Sequence, residues 1–221
     1  MALFTKALYF RIGITAVIAI TGIAIGAHFI KPTALPIYNP AQVNPDLVDR
    51  SVRGEKDHHI ADFSLTDQNG QTITQADYSG KIYVADFFFT TCTNICIPMA
   101  QQMKRIQTAF ADDPEVMLLS HTVTPAIDTV AQLKRYALKK GVNDAKWHLV
   151  TGAKKQIYDL ARKSYFAVTT KGDGGVNDFI HTQNFILVDK ERRIRGFYDG
   201  TDSKDVDRLI GDIKILKREK D

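Results

Sequence analysis

An apolar run, Ile82–Phe89, is separated by only Thr90 and Thr91 from a pair of cysteines, Cys92-Thr-Asn-Ile-Cys96. The run reads as a buried central strand. Behind the cysteines, Pro98 suits the first position of a helix, and Met99, Met103, Ile106 and Phe110 keep helical spacing. The chain therefore places two thiols where a buried strand turns into a helix, near the positive end of the helix dipole, which favours thiolate. These are the only two cysteines in the 221 residues. Their C-x-x-x-C spacing is one residue longer than that of disulfide oxidoreductases. Two soft ligands without a second pair cannot complete a structural zinc site, so either a third ligand comes from elsewhere or the pair does redox work. A disulfide across so small a loop adds little stability, which makes a purely structural bridge the weakest reading.

The first thirty residues differ in kind from the rest. From Ile12 to Ile30 there are 19 residues without an acid, Lys or Arg, preceded by Lys6 and Arg11. As a helix that run is about 28 Å long, close to the hydrocarbon thickness of a bilayer. The rival reading is a cleaved signal peptide, for which Ala24-Ile25-Gly26 offers a small-residue cleavage site. No cysteine follows the run, which excludes a lipidated start. Lys6, Arg11 and the terminal amine favour a cytoplasmic N-terminus, with Lys31 weakening the bias. Either way the remainder is exported. The expected layout is a cytoplasmic N-terminus (1–11), a transmembrane anchor (12–30), a proline-containing linker (31–57) and a folded domain (58–221) on the periplasmic side of the inner membrane.

Hydrophobic residues at 44% and charged residues at 24% exclude disorder throughout. A net charge of +4, with basic clusters such as Lys190–Arg195 broken by acids or apolar residues, argues for a solvated surface and against a nucleic-acid face. Along the domain, Asn69-Gly70 marks a hairpin between Ile60–Leu65 and Gln71–Thr74. Val116–Ser120 is the next strand, and Asp128 is expected to cap a helix with Val130, Leu133, Tyr136 and Ala137 inward. Trp147–Val150 reads as a short strand, followed by a helix around Lys154–Ala161. Phe185–Val188 and Ile194–Tyr198 form a second hairpin. Asp202 or Ser203 caps a last helix with Val206, Leu209, Ile210, Ile213 and Leu216 in one stripe. This is an α/β, thioredoxin-like order: a central mixed sheet flanked by helices, with an extra N-terminal hairpin.

Several segments resemble the Sco/SenC family in order and spacing: Phe88-Phe89-Thr90-Thr91-Cys92-Thr-Asn-Ile-Cys96, Val123-Thr-Pro125-Ala-Ile-Asp128-Thr129, Trp147-His-Leu-Val-Thr-Gly152, and Asp178-Phe-Ile-His181 before Phe185-Ile-Leu-Val-Asp189. The resemblance covers roughly residues 58–218. It implies a membrane-anchored, thioredoxin-like metallochaperone that delivers copper, as Cu(I) or Cu(II), to a cytochrome c oxidase subunit, or prepares that subunit's thiols. It implies Cys92, Cys96 and His181 as copper ligands. In the family a proline commonly follows each cysteine; here Thr93 and Ile97 stand there. Because a residue before proline is biased away from helical geometry, Cys96 and Ile97 are expected in the loop, with the helix starting at Pro98.

The alternative is a thiol-disulfide oxidoreductase of the cell envelope, in which Cys92 and Cys96 form a redox-active disulfide served by a reductant partner and no copper is transferred. Whether the chain has such enzymatic activity stays open. A peroxidase on the same fold needs an arginine beside its cysteine, and none lies near Cys92. Among the six histidines, His28 reads as interfacial, His58 and His59 as surface residues or an adventitious metal site, and His121 and His148 as packed. Asp86, an acid within the apolar run, either tunes the thiols or sits at a strand edge in contact with solvent. Asp178 is a candidate to orient His181 by hydrogen bonding. Tyr83, Phe87, Phe88 and Phe89 read as core and site-shielding residues.

Overall fold

Asn69-Gly70 closes the first hairpin, with Gly70 at φ 78°. The turn is fixed by the Asp67 carboxylate, which accepts the backbone N–H groups of Asn69 and Gln71 at 2.8 Å each. Pairing is shorter than the sequence suggests: β1 (Ser64–Thr66) runs antiparallel to β2 (Thr72–Thr74). Ile60 instead donates its N–H to Arg192 O at 2.8 Å. The computed structural model describes residues 34–168, 172, 174–175 and 177–219, with Gly13 and Thr21. Leu35–Lys217 form one unit; residues 1–34 with 218–221 form another. The expected anchor, 12–30, lies outside the described residues apart from Gly13 and Thr21. Among the described residues no helix is long and apolar enough to cross a membrane.

The main sheet is built from β3 (Ile82–Phe88), β4 (Val116–Thr122), β5 (Trp147–Val150), β6 (Asn184–Val188) and β7 (Ile194–Asp199) in the order β5-β4-β3-β6-β7. β3, β4 and β5 are parallel, and β6 and β7 join antiparallel. β3 is central and buried along its whole length. Side chains alternate across it. Tyr83, Ala85 and Phe87 enter one core with the front hairpin and the segment after β5. Ile82, Val84 and Phe88 enter the other, against α1 (Cys96–Ala109), α2 (Val130–Lys140) and, after α3 (Lys154–Asp159), α4 (Ser203–Leu216). The inner stripe of α4 is buried at Val206, Leu209, Ile213 and Leu216, and Asp202 caps it. This is the mixed α/β, thioredoxin-like arrangement expected from the sequence.

Two local expectations are corrected. Thr129, not Asp128, caps α2, its side chain accepting the Gln132 N–H; Asp128 is fully buried and bonds to threonines instead. From Leu35 onward, the stretch read as a linker packs onto the domain. Val43 and Val48 enter the core, Tyr38 N–H donates to Ile194 O at 2.9 Å, and the buried Arg195 guanidinium donates to Leu35 O and Pro36 O.

Candidate functional site

α1 begins at Cys96, so Cys96 and Ile97 lie in the first helical turn rather than in the loop, and Pro98 takes the third position. The first amides of a helix have no partner within it, so a proline there forfeits nothing. The Cys96 N–H donates to the Cys92 sulfur at 3.4 Å, and the Ile97 N–H to Asn94 O at 3.2 Å. The thiol itself therefore helps to start the helix, which offsets the bias of the residue before proline. Both cysteines are free, Cys92 half-buried and Cys96 buried.

Their environments are unequal. Burial works against the thiolate at Cys92, but hydrogen bonds from Cys96 and from the amides of Asn94 and Ile95 outweigh it and lower its pKa. Burial, then the bond to Cys92, pushes Cys96 up to about 12. The thiolate is thus favoured at Cys92, over the helix N-terminus, and disfavoured at Cys96.

Asp86 is not at a strand edge. It lies in central β3, 3% exposed, and alternation puts it on the face of Val84 and Phe88, toward α1. Burial raises its pKa to about 7 against an opposing bond from Ser120, and its Oδ1 has no partner among the described residues.

His181 is exposed, in the loop before β6. The same loop carries Phe179, whose ring meets Phe89 at 5.4 Å and is nearly parallel to His181 at 6.5 Å. Phe89 O in turn accepts the Cys92 N–H at 3.3 Å. The two loops are therefore joined by aromatic contact. Among the described residues, however, no three His, Cys, Asp or Glu side chains gather closely enough to hold a metal ion. The structure brings Cys92 and Cys96 together and does not add His181 to them.

Asp178 does not serve His181. Its two oxygens pair with Arg162 at 2.6 and 2.7 Å, and one also accepts the Gly174 N–H. Arg162 holds the Asp178 carboxyl below its usual range. His58 is buried, with Nδ1 at 2.8 Å from Glu55 and Nε2 at 2.8 Å from Ser164 O; His59 is half-buried. His121 stacks on Phe87 and His148 bonds Tyr78, as packed residues do. His28 lies outside the described residues. Sequence reasoning missed the Phe179–Phe89 contact and the Asp128 threonine cluster. The clustering of Thr90, Thr122 and Thr124 around one acid was the available signal for the second.

The SCO1/SenC family profile matches residues 51–217. A SCO1 protein homolog of Bacillus subtilis is 28% identical over 167 residues, covering 75% of this chain and 86% of that protein. The structure of BsSco, described with a disulfide switch and as a member of the Sco family of cytochrome c oxidase assembly proteins, superposes with a TM-score of 0.63. The match is at 28% identity over 76% of this chain and 98% of that one. Copper-bound ScoI of Arabidopsis thaliana gives a TM-score of 0.57 at 26% identity, over 72% and 98% of the two chains.

Proposed function

Since the chain belongs to the SCO1/SenC family, we propose that it binds copper as cargo and delivers it to, or prepares the thiols of, a copper site in cytochrome c oxidase. The observation that carries this reading is the Cys92–Cys96 pair at the start of α1. Two sulfurs in contact, one with its thiolate favoured, are a soft donor set that suits Cu(I); Cu(II) needs a further ligand of imidazole type. Copper in the Arabidopsis relative supports the metal, and the description of BsSco supports the oxidase.

We assign the third ligand to His181. Its loop already reaches the cysteine loop through Phe179, and metal capture requires the segment 177–183 to bring the imidazole to the thiols. Ile97 and Phe179, 42% and 47% exposed beside the site, offer apolar surface to a recipient protein. The 12–30 run is read as the anchor that keeps the domain on the outer side of the inner membrane.

A second reading, a thiol-disulfide oxidoreductase, is favoured by the unequal thiols. An accessible sulfur with a lowered pKa and a buried, protonated partner are the attacking and resolving groups of disulfide exchange. The disulfide switch described for BsSco supports it.

The test is an anaerobic Cu(I) titration of the reduced, detergent-solubilised chain against a competing chelator. One Cu(I) per chain is expected, with tight binding lost in Cys92→Ser and in Cys96→Ser. A natural protein that takes no Cu(I) from the chelator would leave only the redox reading.

A further inference from the structure

We propose that Asp128 is a positioning residue for the thiol pair: its buried carboxylate clamps the exit of β3 and fixes where Cys92 stands relative to Cys96. The inference rests on the reading of Cys92 and Cys96 as the reacting pair. Asp128 is fully buried in the turn between β4 and α2. Its Oδ2 accepts the Thr90 N–H at 3.1 Å and the Thr124 hydroxyl at 2.9 Å; its Oδ1 accepts the Thr90 hydroxyl at 2.5 Å. The Thr122 hydroxyl also donates to Oδ2. Thr90 thus gives both of its donors to one carboxylate, and its hydroxyl further accepts from Gln132 Nε2 at 2.9 Å.

An uncompensated acid in the interior is costly, and no Lys, Arg or His pairs with Asp128 among the described residues. Neutral donors alone hold it. The duty that would explain an acid at this place, capping α2, belongs to Thr129. What the carboxylate does hold is the backbone two residues before Cys92, a distance that extended chain spans in about 7 Å. The Cys92 N–H then closes on Phe89 O at 3.3 Å, leaving little slack between clamp and sulfur. A fixed Cys92 has a high effective concentration toward Cys96, and that favours the intramolecular bridge.

The test uses the metal-free full chain equilibrated with reduced and oxidised glutathione. Each bridge formed consumes one oxidised glutathione: the two cysteine thiols lose two protons and two electrons, and two glutathione thiols are released. Asp128→Ala should lower the equilibrium constant for the bridge about tenfold, a shift of about 30 mV for this two-electron couple. Asp128→Asn keeps an oxygen that can accept the Thr90 N–H and should stay within about threefold of the natural chain. Val43→Ala loosens the other core, away from the Asp128 cluster, and should lower thermal stability while leaving the constant in place. An unchanged constant in Asp128→Ala overturns the proposal. So does an equal loss in Asp128→Asn, which would make charge rather than position the cause, or an equal loss in Val43→Ala, which would make it general loosening. If Asp128→Ala does not fold, Thr90→Val must lower the constant about threefold, and no change there overturns the proposal. No copper enters the measurement, so failure of the copper reading would leave this result standing.

Discussion

Phe179 meets Phe89 edge to face, ring centroids 5.4 Å apart and planes at 75°, which ties the His181 loop to the strand exit that carries Cys92. An aromatic pair of this kind contributes about 0.5–1.5 kcal/mol beyond its buried area. If His181 is the third ligand, this contact keeps the imidazole within reach. Phe179→Ala should then weaken Cu(II) binding by up to about tenfold and leave Cu(I) binding, which two thiolates satisfy, within about twofold. Competition titrations with EPR spectra of the Cu(II) form check it; an unaltered Cu(II) affinity and spectrum would remove Phe179 from the site.

Asp86 and His121 make opposite contributions to stability as pH changes. Burial raises Asp86 to about 7, so the native state keeps a proton that the unfolded chain has lost, and this contribution declines as pH rises from about 4 to 7. Burial lowers His121 to about 4, so the unfolded chain takes up a proton that the native state refuses. That contribution declines as pH falls from about 6.5 to 4. Over the shared window the two slopes oppose. Asp86→Asn should therefore unmask the histidine slope, losing stability toward acid, and should gain on the natural protein at pH 7.5 by on the order of 3 kcal/mol. Urea denaturation at pH 4.5, 6.0 and 7.5 reads this directly, and parallel profiles for the two proteins would refute it.

Much of this architecture was legible because its signals are local. Apolar period marked β3, β4 and α4, and Asn69-Gly70 marked the front turn. The start of α1 was not legible, because the acceptor for the Cys96 amide is a thiol, which helix propensities do not include. Asp128 looked like a cap because an acid before a helix usually is one; its threonine partners come from β3's exit and from β4, brought together only by the parallel pairing. Asp178 was assigned to His181 by proximity in sequence, whereas a guanidinium 16 residues away satisfies it better. Residues 35–57 carry no period at all, yet Val43 and Val48 are buried, held by backbone bonds that leave no trace in composition.

The run Ile12–Ile30 predicts membrane retention. A span of 19 uncharged residues is about as long as the bilayer core is thick, whereas the apolar part of a signal peptide is usually about 7–15 residues. Cell fractionation should find the chain in membranes, with residues 35–217 open to protease added from the periplasmic side. A mature N-terminus near residue 27, read by peptide sequencing, would remove the anchor and leave export standing.

The unequal thiols predict how copper binding depends on pH and on oxidation. Iodoacetamide at neutral pH should label Cys92 first, since its thiolate is favoured and it is partly accessible, while buried Cys96 keeps its proton. Copper must displace that proton to engage the second sulfur. With Cys96 held up at about 12, apparent Cu(I) affinity should rise by at least about tenfold per pH unit between pH 7 and 9, after correction for protonation of the competitor. Joining the two sulfurs in a disulfide removes both donors at once, so the oxidised chain should release Cu(I) and regain it on reduction. Oxidised protein that binds Cu(I) as tightly as the reduced form would show that these thiols are not the ligands. A flat pH profile would instead show that Cys92 binds without its partner.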